Sequence, residues 1–172
     1  DARRLSDTVR RSQRAGVRNL QVKSPLHGDA LAGLEGRMDV VFVDAPCTGS
    51  GAWRRHPDTK WRLKPAQLER RMADQDAVLA TAAAYVKPGG RLVYVTCSLL
   101  MEENEDRVTA FQTGHDDFRT ASAFDQVAAS GQADAEGLAP LAGRRTPEGH
   151  LRLTPLTAGT DGFFVSVLER RP

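Results

Sequence analysis

Apolar positions along the chain gather into a few patterned segments separated by glycine- and proline-rich breaks. Asp39-Val40-Val41-Phe42-Val43-Asp44 is a continuous apolar run closed by an acid, which predicts a parallel strand buried on both faces. Pro65 opens a helix through Tyr85, with Leu68, Met72, Gln75, Val78, Leu79 and Ala82 or Ala83 on one broad face. Lys87-Pro88-Gly89-Gly90 breaks that helix with a tight turn, and Arg91 to Cys97 reads as a second buried strand. A helix over Glu102 to Gln112 follows, with Val108 and Phe111 as its inner positions. His150 to Thr154 and Gly162 to Glu169 read as two terminal strands, the latter alternating Phe163, Val165 and Val167.

Weaker patterns fill the rest. Arg3 to Ala15 carries Leu5 and Val9 at helical spacing among arginines and stops at Gly16. Asn19 to Lys23 predicts a short strand, followed by Ser24-Pro25 and a turn at Gly28-Asp29. Ala45 to about Lys64 is irregular, and Gly114 to Arg145, rich in Ala, Gly and Asp, predicts a variable loop. A strand, a long helix and a strand imply a right-handed crossover in a parallel sheet. At 172 residues the chain is expected to form a single α/β domain over 1–172, without repeats or linkers.

Composition and charge narrow the classes. No apolar run is long enough to span a bilayer, and the start does not read as a signal peptide, so a cytoplasmic protein is expected. The formal net charge is only +2, so the distribution of charge is more informative than its total. Arg3, Arg4, Arg10, Arg11, Arg14 and Arg18 crowd one segment; Arg54, Arg55, His56, Lys60, Arg62 and Lys64 crowd another. Both suit a phosphate backbone. A solvated helix face explains the first equally well, whereas the second lies beside the chemistry below.

The two cysteines, Cys47 and Cys97, carry that chemistry. Nothing points to secretion, so they are expected as free thiols. His27, His56, His115 and His150 are scattered, and no metal site is expected. Cys47 follows the first apolar strand by three residues and Cys97 ends the second. Ligands of such sheets sit beyond the carboxyl ends of the strands, and neighbouring strands lie about 4.8 Å apart. Both sulfurs can therefore face one cleft. Free cysteines are also common in cores, but Pro46 and Thr48-Gly49-Ser50-Gly51 around Cys47 read as an exposed loop. Asp44 is placed for a ligand amine or a base edge, and Asp29 for an adenine amino group; each is equally a turn residue.

Two thiols in one cleft suit cytosine C5 chemistry. That carbon is too poor a nucleophile to take a methyl group unaided. Thiolate addition at C6 makes an enamine-like species whose C5 can attack an electrophilic methyl, after which the C5 proton and the thiol leave. One cysteine adds, and a second group helps proton removal and release. Chemistry and spacing leave open which thiol does which.

Asp44-Ala45-Pro46-Cys47-Thr48-Gly49-Ser50-Gly51, Arg54-Arg55-His56-Pro57-Asp58 and Lys60-Trp61 resemble the RsmB/Nop2/Sun family of RNA cytosine-C5 methyltransferases. So do Lys87-Pro88-Gly89-Gly90, Tyr94-Val95-Thr96-Cys97-Ser98, Glu102-Glu103-Asn104 and Asp161-Gly162-Phe163-Phe164, in the expected order. The resemblance implies a Rossmann-like class I methyltransferase fold, S-adenosylmethionine as cofactor and ribosomal or transfer RNA as partner. It implies Cys97 as nucleophile, Cys47 as the thiol assisting release, and Asp29 and Asp44 as cofactor contacts. Pro46, Arg54, Arg55, His56 and Lys60 fall in the substrate loop. The family's glycine-rich loop and ribose-binding acid have no counterpart in this sequence. In the sheet order 3-2-1-4-5-7-6 the first two strands are then missing. Exposed strand edges are expected to favour self-association, and poor cofactor binding and no activity are expected of the chain alone. A non-catalytic RNA-binding module of the same fold is the main competing reading. An amino-group methyltransferase is a third, disfavoured by a thiol at Cys47 where that class places an aromatic residue.

Overall fold

The computed structural model describes residues 2–23 and 30–172. By internal packing the chain divides into two compact units, Asp1–Glu35 and Gly36–Pro172. Asp29 and the turn around it lie outside the described residues.

In the first unit, helix α1 (Ala2–Arg14) matches the predicted arginine-rich helix. Its end is set by Gly16 at φ 68°, a left-handed conformation that closes the last turn through Val17 N–H to Ser12 O at 3.0 Å. The strand expected at Asn19–Lys23 does not form, and Leu20 is left half exposed. An extended segment becomes a strand only through a hydrogen-bonded neighbour, and among the described residues no strand of the sheet takes it as one.

The second unit is built on a five-stranded mixed sheet. In chain order its elements are β1 (Met38–Asp44), α2 (Asp58–Arg62), α3 (Pro65–Ala83), β2 (Val86–Thr96), α4 (Glu105–Gly114) and β3 (Phe118–Ala121). Then come α5 (Ala123–Ala129), α6 (Ala135–Ala142), β4 (Leu151–Leu153), α7 (Pro155–Ala158) and β5 (Phe163–Arg170). The order is β1-β2-β5-β3, with β4 also on β5. β1 and β2 are parallel, joined through α3, and β5 runs antiparallel to its neighbours. This is the 4-5-7-6 half of the expected methyltransferase sheet.

Both faces of the sheet's centre are covered. Leu79, Leu92, Tyr94, Val108, Phe111, Phe164 and Leu168 form the main core beneath α3 and α4. Ala123, Leu151 and Val167, with Phe124 and Leu141, pack the opposite face beneath α5 and α6. The alternation read in β5 therefore separates two cores, not core from solvent. On the predicted face of α3, Gln75, Leu79, Ala82 and Ala83 are buried and Leu68, Met72 and Val78 half-buried, and the inner positions of α4 are buried as expected.

Two expectations are corrected. Residues 114–145 are not a loop but hold β3, α5 and α6; short alanine-rich helices carry too little apolar periodicity to stand out. β1 is not buried on both faces. Val41 and Val43 enter the main core, whereas Val40 and Phe42 are 51% and 66% exposed. Among the described residues β1 ends the sheet with one neighbour, and the helices covering that face farther along do not reach it. The Lys87–Gly90 turn appears as a bulge within β2: Met38 pairs Val86, but Val40 already pairs Arg91. Gly89 there has φ 72°, and a Cβ at Gly90 would lie 2.9 Å from Met38 O, so both glycines are structurally required.

Candidate active site

Both cysteines stand where β1 and β2 end side by side. Ala45 N–H extends the ladder by one bond, to Val95 O at 2.9 Å, and Pro46, which has no N–H, ends it. The chain turns through Gly49 at φ 71° into a 3-10 turn at Ser50–Ala52. There it is tied to the other cysteine's segment: Gly51 N–H donates to Cys97 O at 2.9 Å, and the Ser50 and Ser98 hydroxyls bond at 2.9 Å. The Leu99 N–H donates to Ser50 Oγ at 2.8 Å. These ties place Cys47 Sγ 3.4 Å from Cys97 Sγ across fifty positions of sequence.

Glu103, fully buried, fixes the Cys47 loop from beneath. Its carboxylate accepts Thr48 N–H at 2.8 Å, Thr48 Oγ1–H at 2.6 Å and Gln75 Nε2–H at 3.1 Å. Gln75, also fully buried, donates to Pro46 O at 2.9 Å, so α3 holds the same loop. Asn104 steadies the Cys97 side, accepting from Thr96 Oγ1 at 2.6 Å and donating to Ser98 O at 3.0 Å. Among buried polar groups such reciprocal satisfaction fixes one geometry. Ser50, Gln75, Ser98, Glu103 and Asn104 had no role in the sequence reading. Four were visible only as parts of motifs, and Gln75 only as a polar residue on an apolar helix face.

The two thiols share one hydrogen bond, in which either sulfur can donate. That bond brings Cys97 down to about 7, ahead of the opposing effects of burial and of the Asp44 and Glu103 charges. Cys47 is pushed up by that same hydrogen bond and by burial. A pair at this distance favours a state in which one proton lies between the two sulfurs and one of them is a thiolate, the nucleophilic form of the group.

Of the other predicted residues, Asp44 ends β1 with an exposed carboxylate close enough for Cys97 to feel its charge. Pro46 is exposed beside Cys47. Arg55 Nε donates to Asp161 at 2.6 Å, and Arg54 lies 3.7 Å from the same carboxylate, which these arginines hold well below the usual carboxylate range. Gly51 and Gly162 pack backbone to backbone beside this anchor; a Cβ on Gly51 would lie 2.3 Å from Gly162 O. Lys60 is held over Trp53 and Trp61, 5.9 and 5.4 Å from their ring centroids, and His56 is exposed. A cleft of about 380 Å³ beside Cys47 is lined by Thr59, Arg62, Arg70 and Arg71, an electropositive setting for an anionic ligand. Among the described residues no group of three His, Cys, Asp or Glu is placed to hold a metal, and no helix is long and apolar enough to cross a membrane.

Known proteins share the sequence pattern and the fold of this chain. The family described as 16S rRNA methyltransferase RsmB/F matches residues 1–169. The ribosomal RNA small subunit methyltransferase B of Pectobacterium carotovorum is 36% identical over 137 residues, 79% of this chain and 27% of that protein. The chain thus spans about a quarter of the length of this relative. Among solved structures, PH0851 superposes with a TM-score of 0.79 at 31% identity, covering 99% of this chain and 35% of that one. A methyltransferase homolog from Pyrococcus horikoshii gives a TM-score of 0.69 at 28% identity, over 99% and 51% of the two chains. The fold is accordingly part of the Rossmann-like methyltransferase fold, and the chain belongs to the 16S rRNA methyltransferase RsmB/F family.

Proposed function

We propose that this chain carries the catalytic thiols of an enzyme that methylates C5 of cytosine in ribosomal or transfer RNA. The observation that supports it is the 3.4 Å thiol pair at the carboxyl ends of adjacent parallel strands. Cys97 adds to C6 of a cytosine taken out of its stack, and the electron pair of the C5–C6 bond becomes available at C5. S-adenosylmethionine supplies an electrophilic methyl group; the exposed Asp44 carboxylate is a fitting acceptor for its amino or hydroxyl donors. C5 takes that methyl group, and loss of the C5 proton to water then re-forms the C5–C6 double bond and expels Cys97 from C6 as a thiolate. The Cys47 thiol, already hydrogen-bonded to Cys97 Sγ, stabilises that departing thiolate. Pro46, Arg54, Arg55, His56 and Lys60 border the target nucleotide, with Arg55 braced by Asp161.

The test uses the protein at its natural length with S-adenosylmethionine and RNA tritiated at cytosine C5. Release of tritium to water with each methyl transferred is expected, and Cys97→Ala should reduce it at least a thousandfold, as for removal of a nucleophile. Methyl transfer without tritium release would move the reaction to another atom and overturn the reading.

A further inference from the structure

The carboxyl ends of β1 and β2 hold a second chemistry besides methyl transfer. Cys47 Sγ and Cys97 Sγ stand 3.4 Å apart, both as free thiols. Reacting atoms held about 3–3.5 Å apart are already at the distance from which a bond forms. A disulfide needs the sulfurs at roughly 2.05 Å and the two Cα atoms about 4.4–6.8 Å apart. Neighbouring strands lie about 4.8 Å apart. Here β1 and β2 pair as far as Asp44 and Val95, with one further bond from Ala45 N–H to Val95 O; Cys97 follows β2 directly and Cys47 lies just past β1. The backbone spacing therefore suits a disulfide, and the sulfurs have only a short way to close. Both thiols are half-buried, so neither is sealed in the core. Their loops are tied to each other by Gly51 N–H to Cys97 O and by the Ser50 and Ser98 hydroxyls, which keeps the sulfurs together.

A lone thiol that meets an oxidant stops at an adduct, whereas a second thiol within reach resolves the adduct to a disulfide. We propose that Cys47 and Cys97 are a reversible redox pair, oxidised by a low-molecular-weight disulfide of the glutathione type to an intramolecular disulfide that withdraws both thiols. The thiolate of the pair attacks one sulfur of the small disulfide, whose S–S bond breaks and whose other half leaves as a thiolate. The second protein thiol then gives up its proton to that thiolate. Its sulfur attacks the first, forming the Cys47–Cys97 bond and releasing the remaining half of the oxidant as a thiolate that water protonates. Two protein thiols are oxidised, and one small disulfide is reduced to two thiols. An excess of a dithiol reductant runs the exchange backwards. Loss of methyl transfer in the oxidised form, though not the disulfide itself, rests on the methyl-transfer reading above.

The test treats the protein at its natural length with an excess of oxidised glutathione, blocks remaining thiols with iodoacetamide and digests it with trypsin without reduction. Residues 38–54 and 92–107, which hold Cys47 and Cys97, are expected as one linked peptide by mass spectrometry, and as two separate alkylated peptides after dithiothreitol. Tritium release from the labelled RNA should fall at least about tenfold on oxidation, as when most of a nucleophile is blocked, and recover with dithiothreitol. Cys47→Ala, which lacks the resolving thiol, is expected to keep a glutathione adduct on the 92–107 peptide. A lasting glutathione adduct on the unaltered protein, or both thiols still alkylated after the oxidant, would overturn the proposal. Linked peptides with undiminished tritium release would instead defeat the assignment of these thiols to methyl transfer. Undiminished release with no linked peptide would defeat the redox pair alone.

Discussion

Cys97 and Cys47 are two thiols 3.4 Å apart, close enough to share one hydrogen bond, and in our reading Cys97 is the member that gives up its proton. A thiolate that accepts a hydrogen bond is stabilised and its proton leaves at lower pH; the donor keeps its proton. Alkylation of Cys97 should therefore rise through a midpoint near 7 and fall away at lower pH, where the thiol is protonated. Removing the donor with Cys47→Ala is expected to move that midpoint up towards about 8.5, the value of an unassisted thiol. Rates of iodoacetamide labelling against pH, read by mass spectrometry, check this; an unmoved midpoint would show that Cys47 does not activate Cys97. Sequence showed the thiols and Asp44 because they sit in short motifs at strand ends. The buried Glu103 and Gln75 stayed silent: their importance comes from partners 55 and 28 positions away, which no local pattern encodes.

The elements around the site are joined by buried hydrogen bonds as much as by apolar packing. Glu103→Ala would strand the Thr48 N–H, the Thr48 hydroxyl and a Gln75 donor, and is expected to cost about 2–4 kcal/mol. For a chain of this size that is a fall in Tm of roughly 5–15 °C by calorimetry. Glu103→Gln keeps one acceptor and should recover part of the loss. It also removes a negative charge that raises Cys97, so its Cys97 labelling midpoint should fall slightly below that of the unaltered protein. A rise in that midpoint would mean that the Cys47 loop had lost its place. Elements were legible in proportion to their periodicity. β1, β2, β5 and α3 have long apolar patterns cut by Pro65 and the Lys87–Gly90 break, and they form within a few residues of expectation. β3, α5 and α6 do not announce themselves, because four to eight residues rich in alanine give neither period clearly. Asn19–Lys23 shows the converse: local propensity without a neighbouring strand makes no strand.

At the scale of the whole molecule, β1 has one strand neighbour among the described residues and leaves Val40 and Phe42 exposed on one face. Sequence could not show this, since an apolar run does not say what covers it. An uncovered edge with apolar side chains favours pairing between chains. The 172-residue chain on its own is expected to associate in sedimentation velocity at micromolar concentration, and Phe42→Lys to reduce that association; a monomer throughout would contradict the expectation. The central claim concerns the bond between protein and RNA. It is tested most directly by incubating the protein at its natural length with S-adenosylmethionine and RNA containing 5-fluorocytidine, whose C5 substituent cannot leave. A covalent protein–RNA adduct on denaturing gels, retained in Cys47→Ala and lost in Cys97→Ala, is the predicted result. An adduct that survives Cys97→Ala and disappears with Cys47→Ala would contradict the assignment of nucleophile, and no adduct with an RNA that accepts methyl groups would contradict covalent catalysis itself.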